Sequence, residues 1–144
     1  MPSSDDGTAV APLSPRVRAF LTAPHFLALA SVDPDGAPRQ ALIWYDLDGD
    51  DLLVNSRTDR RWPRNLRRDG RVALAIFDAT NPLRWVGIRA VVRSIDDDPE
   101  RALGDIQALA RRYHPADPAR QLQFAGQSRV TFRLEIREVH EHLD

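Results

Sequence analysis

Residues 129–139, Arg-Val-Thr-Phe-Arg-Leu-Glu-Ile-Arg-Glu-Val, carry apolar side chains at every second position: Val130, Phe132, Leu134 and Ile136 alternate with Thr131, Arg133, Glu135 and Arg137. Such an alternation is a β-strand with one buried face, and a strand needs neighbours to satisfy its backbone N–H and C=O groups. The chain supplies them. His25–Val32 is a short apolar run, followed by the turn Asp33-Pro34-Asp35-Gly36, in which proline presets φ and glycine accepts a positive φ. Pro38–Leu47 reads as the next strand, Asp48-Gly49-Asp50 turns the chain again, and Asp51–Ser56 is the third strand of an expected antiparallel meander. Further on, Arg71–Asp78 alternates Val72, Leu74 and Ile76 with smaller residues and is expected at the centre of the sheet. Asn81-Pro82 reads as a break before a long strand, Arg84–Ile95, in which Gly87 suggests a bulge or a close backbone approach.

Three helices are expected between these strands. Leu13–Ala23 has Ser14 as N-cap, Pro15 in its first turn, and Leu13, Val17, Phe20 and Leu21 on one face, with Pro24 ending it. Thr58 or Asp59 is expected to cap a short helix running through Arg64 to Asp69, with Pro63 near its start. The longest runs from Pro99 to about Tyr113, capped by Asp98, with Leu103, Ile106, Leu109, Ala110 and Tyr113 as its buried stripe. Residues 114–128 read as an irregular loop. Six strands, two short helices and one longer helix make a mainly β fold, and closure into an antiparallel barrel removes the sheet edges. Residues 1–12 are expected to be a disordered leader and 13–144 a single domain.

Composition narrows the chemistry. The chain has no cysteine, so a disulfide framework, a thiolate metal site and a thiol nucleophile are excluded. All 20 basic residues are arginine, which excludes a lysine Schiff base. A net charge of -1 argues against a global nucleic-acid binder. No apolar run approaches the roughly 20 residues of a membrane-spanning helix, and Met1–Val10 lacks the features of a secretory signal; a cytoplasmic protein without membrane contact is expected. His114 stands alone and His140 and His142 lie two apart with no third ligand at metal spacing, so no metal site is expected.

The most informative local feature is Ser56–Arg71, Ser-Arg-Thr-Asp-Arg-Arg-Trp-Pro-Arg-Asn-Leu-Arg-Arg-Asp-Gly-Arg. Seven arginines, at 57, 60, 61, 64, 67, 68 and 71, face only Asp59 and Asp69 within this segment. The segment begins where a strand gives way to a helix, so backbone N–H groups and guanidinium groups converge as a phosphate requires, with Ser56 and Thr58 adding hydroxyl donors. A solvated helix face is the alternative, above all for Arg67 and Arg68. A nucleic-acid patch is a third reading, with no aromatic platform beyond Trp62 to support it. Trp44, Tyr45 and Trp85 lie on strands flanking the cluster, where their rings can border a planar cofactor or fill the core.

The succession ALASVDPDGAPRQALIWYDLDGDDLLVNS, TDRRWPRNLRRDGRVALAIFD and NPLRWVGIRAVV resembles the pyridoxamine-phosphate-oxidase-like family of split β-barrels, and within it the actinobacterial F-420-dependent class. The similarity covers roughly residues 25–139. It implies a six-stranded Greek-key split barrel that forms a homodimer with two cofactor sites at the subunit interface. It also implies that the cofactor is coenzyme F-420, a deazaflavin, with FMN as the alternative. Ser56, Arg57, Thr58, Arg60 and Arg61 would meet the cofactor phosphate; the ring system would lie along Gln40, Ile43 and Trp44; Asn81 and Trp85 would approach from the neighbouring loop and strand; and Asn55 and Trp62 also count among the cofactor-binding residues. Where many members carry a lysine, this chain has Trp62 followed by Pro63, and Arg60 and Arg61 are expected to take over the phosphate. The activity implied is hydride transfer between the deazaflavin and an electron-poor small molecule, with a non-enzymatic F-420 carrier as another reading. Oxidation of pyridoxamine phosphate itself is not expected. No catalytic acid or base is identified; the Tyr45 phenol is the one group considered, with packing as its alternative.

Overall fold

The computed structural model describes residues 12–144, so the expected leader lies, but for its last residue, outside the described residues. Seven strands form one antiparallel sheet: β1 (Phe26–Val32), β2 (Pro38–Ile43), β3 (Asp46–Asp48), β4 (Asp51–Arg57), β5 (Arg71–Asp78), β6 (Asn81–Asp96) and β7 (Arg129–His142). Four helices accompany them: α1 (Pro15–Thr22), α2 (Arg61–Arg68), α3 (Pro99–Tyr113) and α4 (Pro118–Leu122). The strand order is β2-β1-β5-β6-β7-β4-β3. The sheet wraps round one apolar core, a split β-barrel.

The alternation that predicted the last strand is the alternation that builds the core. Val130, Phe132, Leu134 and Ile136 of β7 are fully buried, beside Leu27 and Leu29 of β1, Leu74 and Ile76 of β5 and Val86 and Ile88 of β6. α1 closes the barrel with Val17, Phe20 and Leu21, and α2 with Trp62 and Leu66. A second apolar cluster lies under α3, where Ile106, Leu109, Ala110 and Phe124 pack with Trp44 and Leu103.

Several expectations are corrected. The strand read as Pro38–Leu47 divides, because Trp44 and Tyr45 leave the sheet to pack elsewhere. Trp44 stacks on Tyr113 at 5.2 Å, and the buried Tyr45 donates its hydroxyl to the carbonyls of Leu21 and Ala23, each at 2.9 Å. The expected meander is therefore broken at that point: β2 and β3 end at opposite edges of the sheet. Asn81-Pro82 does not interrupt a strand; Asp78 pairs with Asn81 across a tight hairpin, and Pro82 sits at the strand start, where a missing N–H is tolerated. Neither Thr58 nor Asp59 caps α2. Its N-cap is Arg60, without a side-chain bond, because Asp59 is engaged by Arg57. The loop 114–128 contains α4, capped by Asp117. Gly87 is a close approach and not a bulge: a Cβ there would lie 2.9 Å from the Trp85 ring, while the register shifts fall at Arg89/Ala90 and Val92/Ser94.

Candidate functional site

β2 is one edge of the sheet, and the barrel is split between it and the end of β4. A cavity of about 470 Å³ opens there, within the range of small-molecule and cofactor sites. Its walls are of two kinds. Part of the lining is apolar and aromatic: Phe26, Leu42, Ile43 and Trp44 from β1, β2 and the chain leaving β2, with Ile106 and Phe124 from the α3 side. The rest is cationic and polar: Asn55, Ser56 and Arg57 from β4, Arg60 at the start of α2, and Arg129 at the start of β7, and the two kinds meet where Arg129 lies over Phe124.

The cationic part of the lining is short of counter-charge. Arg57 is held by Asp59 through two hydrogen bonds of 3.1 and 3.0 Å. Arg60 and Arg129 have no carboxylate within ion-pair distance among the described residues. The strand register places Arg57 directly opposite Arg129, a like-charge pair that costs stability unless an anion compensates. Arg129 is half-buried, and burial first, then the repulsion of Arg60 and Arg57, bring its guanidinium down to about 10. It donates Nε to Asn55 Oδ1 at 2.8 Å, and Nη1 to Gln127 Oε1. Its carbon centre lies 5.1 Å over the Phe124 ring. Nη2 makes no hydrogen bond among the described residues. A desolvated guanidinium with donors to spare, beside a second unpaired one, is the donor set of an anion site.

Of the expected residues, the structure brings Ile43, Trp44, Asn55, Ser56, Arg57, Arg60 and Trp62 to this cavity. Trp62 enters as wall: it is 5% exposed and packs on Phe132 at 5.7 Å. Ser56 is buried and gives its hydroxyl to the Arg57 carbonyl. Thr58 lies in an adjoining cleft with Asp59, Gln127 and Ser128. Arg61 turns to the other side of α2, 3.8 Å from Asp33. That aspartate also accepts from Arg39 and Asn65, and these contacts hold its carboxyl below the usual range. Gln40, Asn81 and Trp85 lie outside the cavity; Trp85 stacks on His142 at 4.3 Å. Tyr45 does not reach it either. Burial, with Tyr113 nearby, drives its phenol far above the ordinary range, so it is a core hydroxyl and not a proton donor. Sequence reading missed Arg129, Gln127 and Phe124. Arg129 stands 72 positions from its strand partner Arg57, and only the pairing of β7 with β4 joins them. No group of His, Asp or Glu among the described residues can hold a metal ion, and no helix is long and apolar enough to cross a membrane.

Comparison with known proteins agrees with this architecture. Residues 13–143 match the family model described as pyridoxamine 5'-phosphate oxidase. Among solved structures, an F420 reductase is 29% identical, with a TM-score of 0.71, over 85% of this chain and 94% of the other. A conserved hypothetical protein from Mycobacterium tuberculosis is 21% identical with a TM-score of 0.70, covering 96% of this chain and 91% of its own. The heme storage protein HutZ from Vibrio cholerae is 20% identical with a TM-score of 0.66, covering 91% and 95%; the last two show the shared fold alone. No curated protein matches the sequence. The family match spans nearly every described residue, barrel, helices and cavity alike, and the chain therefore belongs to the pyridoxamine 5'-phosphate oxidase family.

Proposed function

We propose that the cavity binds coenzyme F-420 and that the protein is an F-420-dependent oxidoreductase acting on an electron-poor small molecule. The observation that carries this reading is the mixed lining of the cavity: guanidinium groups of Arg60 and Arg129 without a carboxylate partner among the described residues, beside apolar and aromatic side chains. That is the donor set for a planar ring system joined to a phosphate. Arg57, Arg60 and Arg129 would hold the phosphate, and Ile43, Trp44 and Phe124 would border the ring. The similarity to an F420 reductase supports the deazaflavin, and Trp62 in place of the lysine that many family members carry makes FMN the weaker candidate. The bound deazaflavin supplies hydride transfer. The chain's part is to anchor, orient and exclude water. Among the described residues of one chain, arginines are the only ionisable side chains lining the cavity.

The working unit is a homodimer. The outer face of β1, β5 and β6 carries Ala28, Ala30, Ala73, Ala75 and Gly87. Phe26, at 43% exposure, and Leu42, at 72%, lie on this face and also line the cavity. A second copy seated there completes the cavity wall, and Gln40, Asn81 and Trp85 would then be available to the partner's site.

Titration of the purified protein with F-420 and with FMN tests the reading. Micromolar F-420 binding, weaker FMN binding and oxidation of reduced F-420 by members of a substrate panel are expected. Binding without turnover would favour a carrier, and binding of neither cofactor overturns the proposal.

A further inference from the structure

Arg129 stands where electrostatics would not leave it. It is desolvated, opposed by Arg57 and Arg60, and has no carboxylate of its own. What keeps it there is a chain of polar groups running away from the cavity into the protein. Its Nε–H is accepted by Oδ1 of Asn55 at 2.8 Å. Asn55 is 6% exposed, and its amide is not free to turn over: Nδ2 donates to the Ala102 carbonyl and to Thr131 Oγ1, each at 2.9 Å. Thr131 in turn gives its only proton to Oδ2 of Asp105, at 2.7 Å.

The direction of each bond follows from the last. A carboxylate only accepts, so the threonine hydroxyl points at Asp105 and turns its lone pairs to Asn55. The Asn55 amide must then present NH₂ to Thr131 and to Ala102, which leaves its carbonyl oxygen toward Arg129. The Ala102 carbonyl demands the same orientation, and Asp105 reinforces it: without Asp105 the threonine proton is free to turn toward the Asn55 NH₂, and the amide loses one of the bonds that hold it. An amide turned over would set NH₂ against the Arg129 Nε–H, donor against donor.

The geometry points to Asp105 and Thr131 as positioning residues that act through Asn55 to hold Arg129 in the cavity and thereby set its affinity for a phosphate-bearing ligand. This rests on the anion-binding reading of the cavity. Asp105 belongs to α3 and does not line the cavity, so its effect is transmitted and not direct.

The test is calorimetric titration of the full chain with inorganic pyrophosphate and with F-420. Thr131→Val and Asp105→Ala are each expected to weaken both by about tenfold, the scale of one hydrogen bond to a charged group. Thr131→Ser, which keeps the hydroxyl, is expected to restore wild-type affinity. The decisive arm is a cycle with Arg129→Met: if Thr131 acts through Arg129, Thr131→Val has no further effect on affinity in that background. An equal loss with and without Arg129, or wild-type affinity in both single variants, overturns the relay while leaving the cavity reading intact. Wild-type protein that binds neither probe overturns both. Should Thr131→Val fail to fold, Asp105→Ala, at a partly exposed helix position, reads the same chain of bonds.

Discussion

Arg129 concentrates most of what is unusual at the residue scale. Folding moves its guanidinium from water to a half-buried place beside two like charges, which is a cost to the fold and a gain for an anionic ligand. Two outcomes follow. Arg129→Met is expected to lose tenfold or more in pyrophosphate affinity, an order-of-magnitude estimate, while its thermal midpoint, read by circular dichroism without ligand, stays level or rises. Anion affinity should also hold through neutral and mildly alkaline pH, where Arg129 keeps its charge, and weaken only toward the alkaline extreme, since burial lowers its guanidinium from the ordinary value; pyrophosphate titrations at stepped pH check it. Tyr45 gives a pH dependence of stability. Burial raises its phenol above the unfolded value, so its contribution is whole below about pH 10 and is lost as the pH climbs further. Tyr113, also raised by burial, acts in the same sense. Tyr45→Phe should cost about 1 kcal/mol at neutral pH, and urea melts should show a shallower alkaline loss than in the wild type.

At the scale of elements, the junction between α1, the β2–β3 corner and α3 gathers on Arg112, with Tyr45 and Tyr113 sharing some of its acceptors. Arg112 of α3 donates to the carbonyls of Leu21, Thr22, Ala23 and Tyr45 at 2.8–3.1 Å, and lies over the Tyr45 ring at 5.1 Å. These are the carbonyls left open where α1 ends and β2 breaks off. Arg112→Met should destabilise the fold by about 3 kcal/mol, since several part-buried acceptors lose a charged donor. The urea midpoint should fall at unchanged slope. Arg112→Lys is expected to restore little of it, because a single ammonium cannot span four carbonyls as the planar fork does.

Across the molecule as a whole, the outer face of β1, β5 and β6 carries small residues, Ala28, Ala30, Ala73 and Ala75, beside Arg71 and Arg89, and runs to the rim of the cavity through Phe26 and Leu42. If a second copy covers it, sedimentation of the wild type shows a dimer, and Leu42→Asp or Ala73→Arg converts it to a monomer that has also lost F-420 binding. A wild-type monomer that binds F-420 fully would show that one chain suffices.

Local chemistry was enough to read most elements. The alternation of β7, the Asp33–Gly36 turn, the Ser14 and Asp98 caps and the apolar stripe of α3 each depend on residues within a few positions of one another, and hydrophobic period and capping act over that range. The arginine-rich start of α2 was legible for the same reason, and it pointed to Arg57 and Arg60, which the fold brings to the cavity. Tertiary structure decided the rest. Trp44 and Tyr45 read as strand residues until α3 and the end of α1 offered them better partners. Arg61 reads like Arg60, but one helical step turns it to Asp33 on the other side. Arg129 looked like one more solvent-facing arginine of an alternating strand. Its meaning came from the β4–β7 register, which sets it against Arg57 and in reach of Asn55. That pairing closes a loop of some seventy residues, and what stabilises it is burial of a shared core, a property of the whole fold that no local pattern encodes.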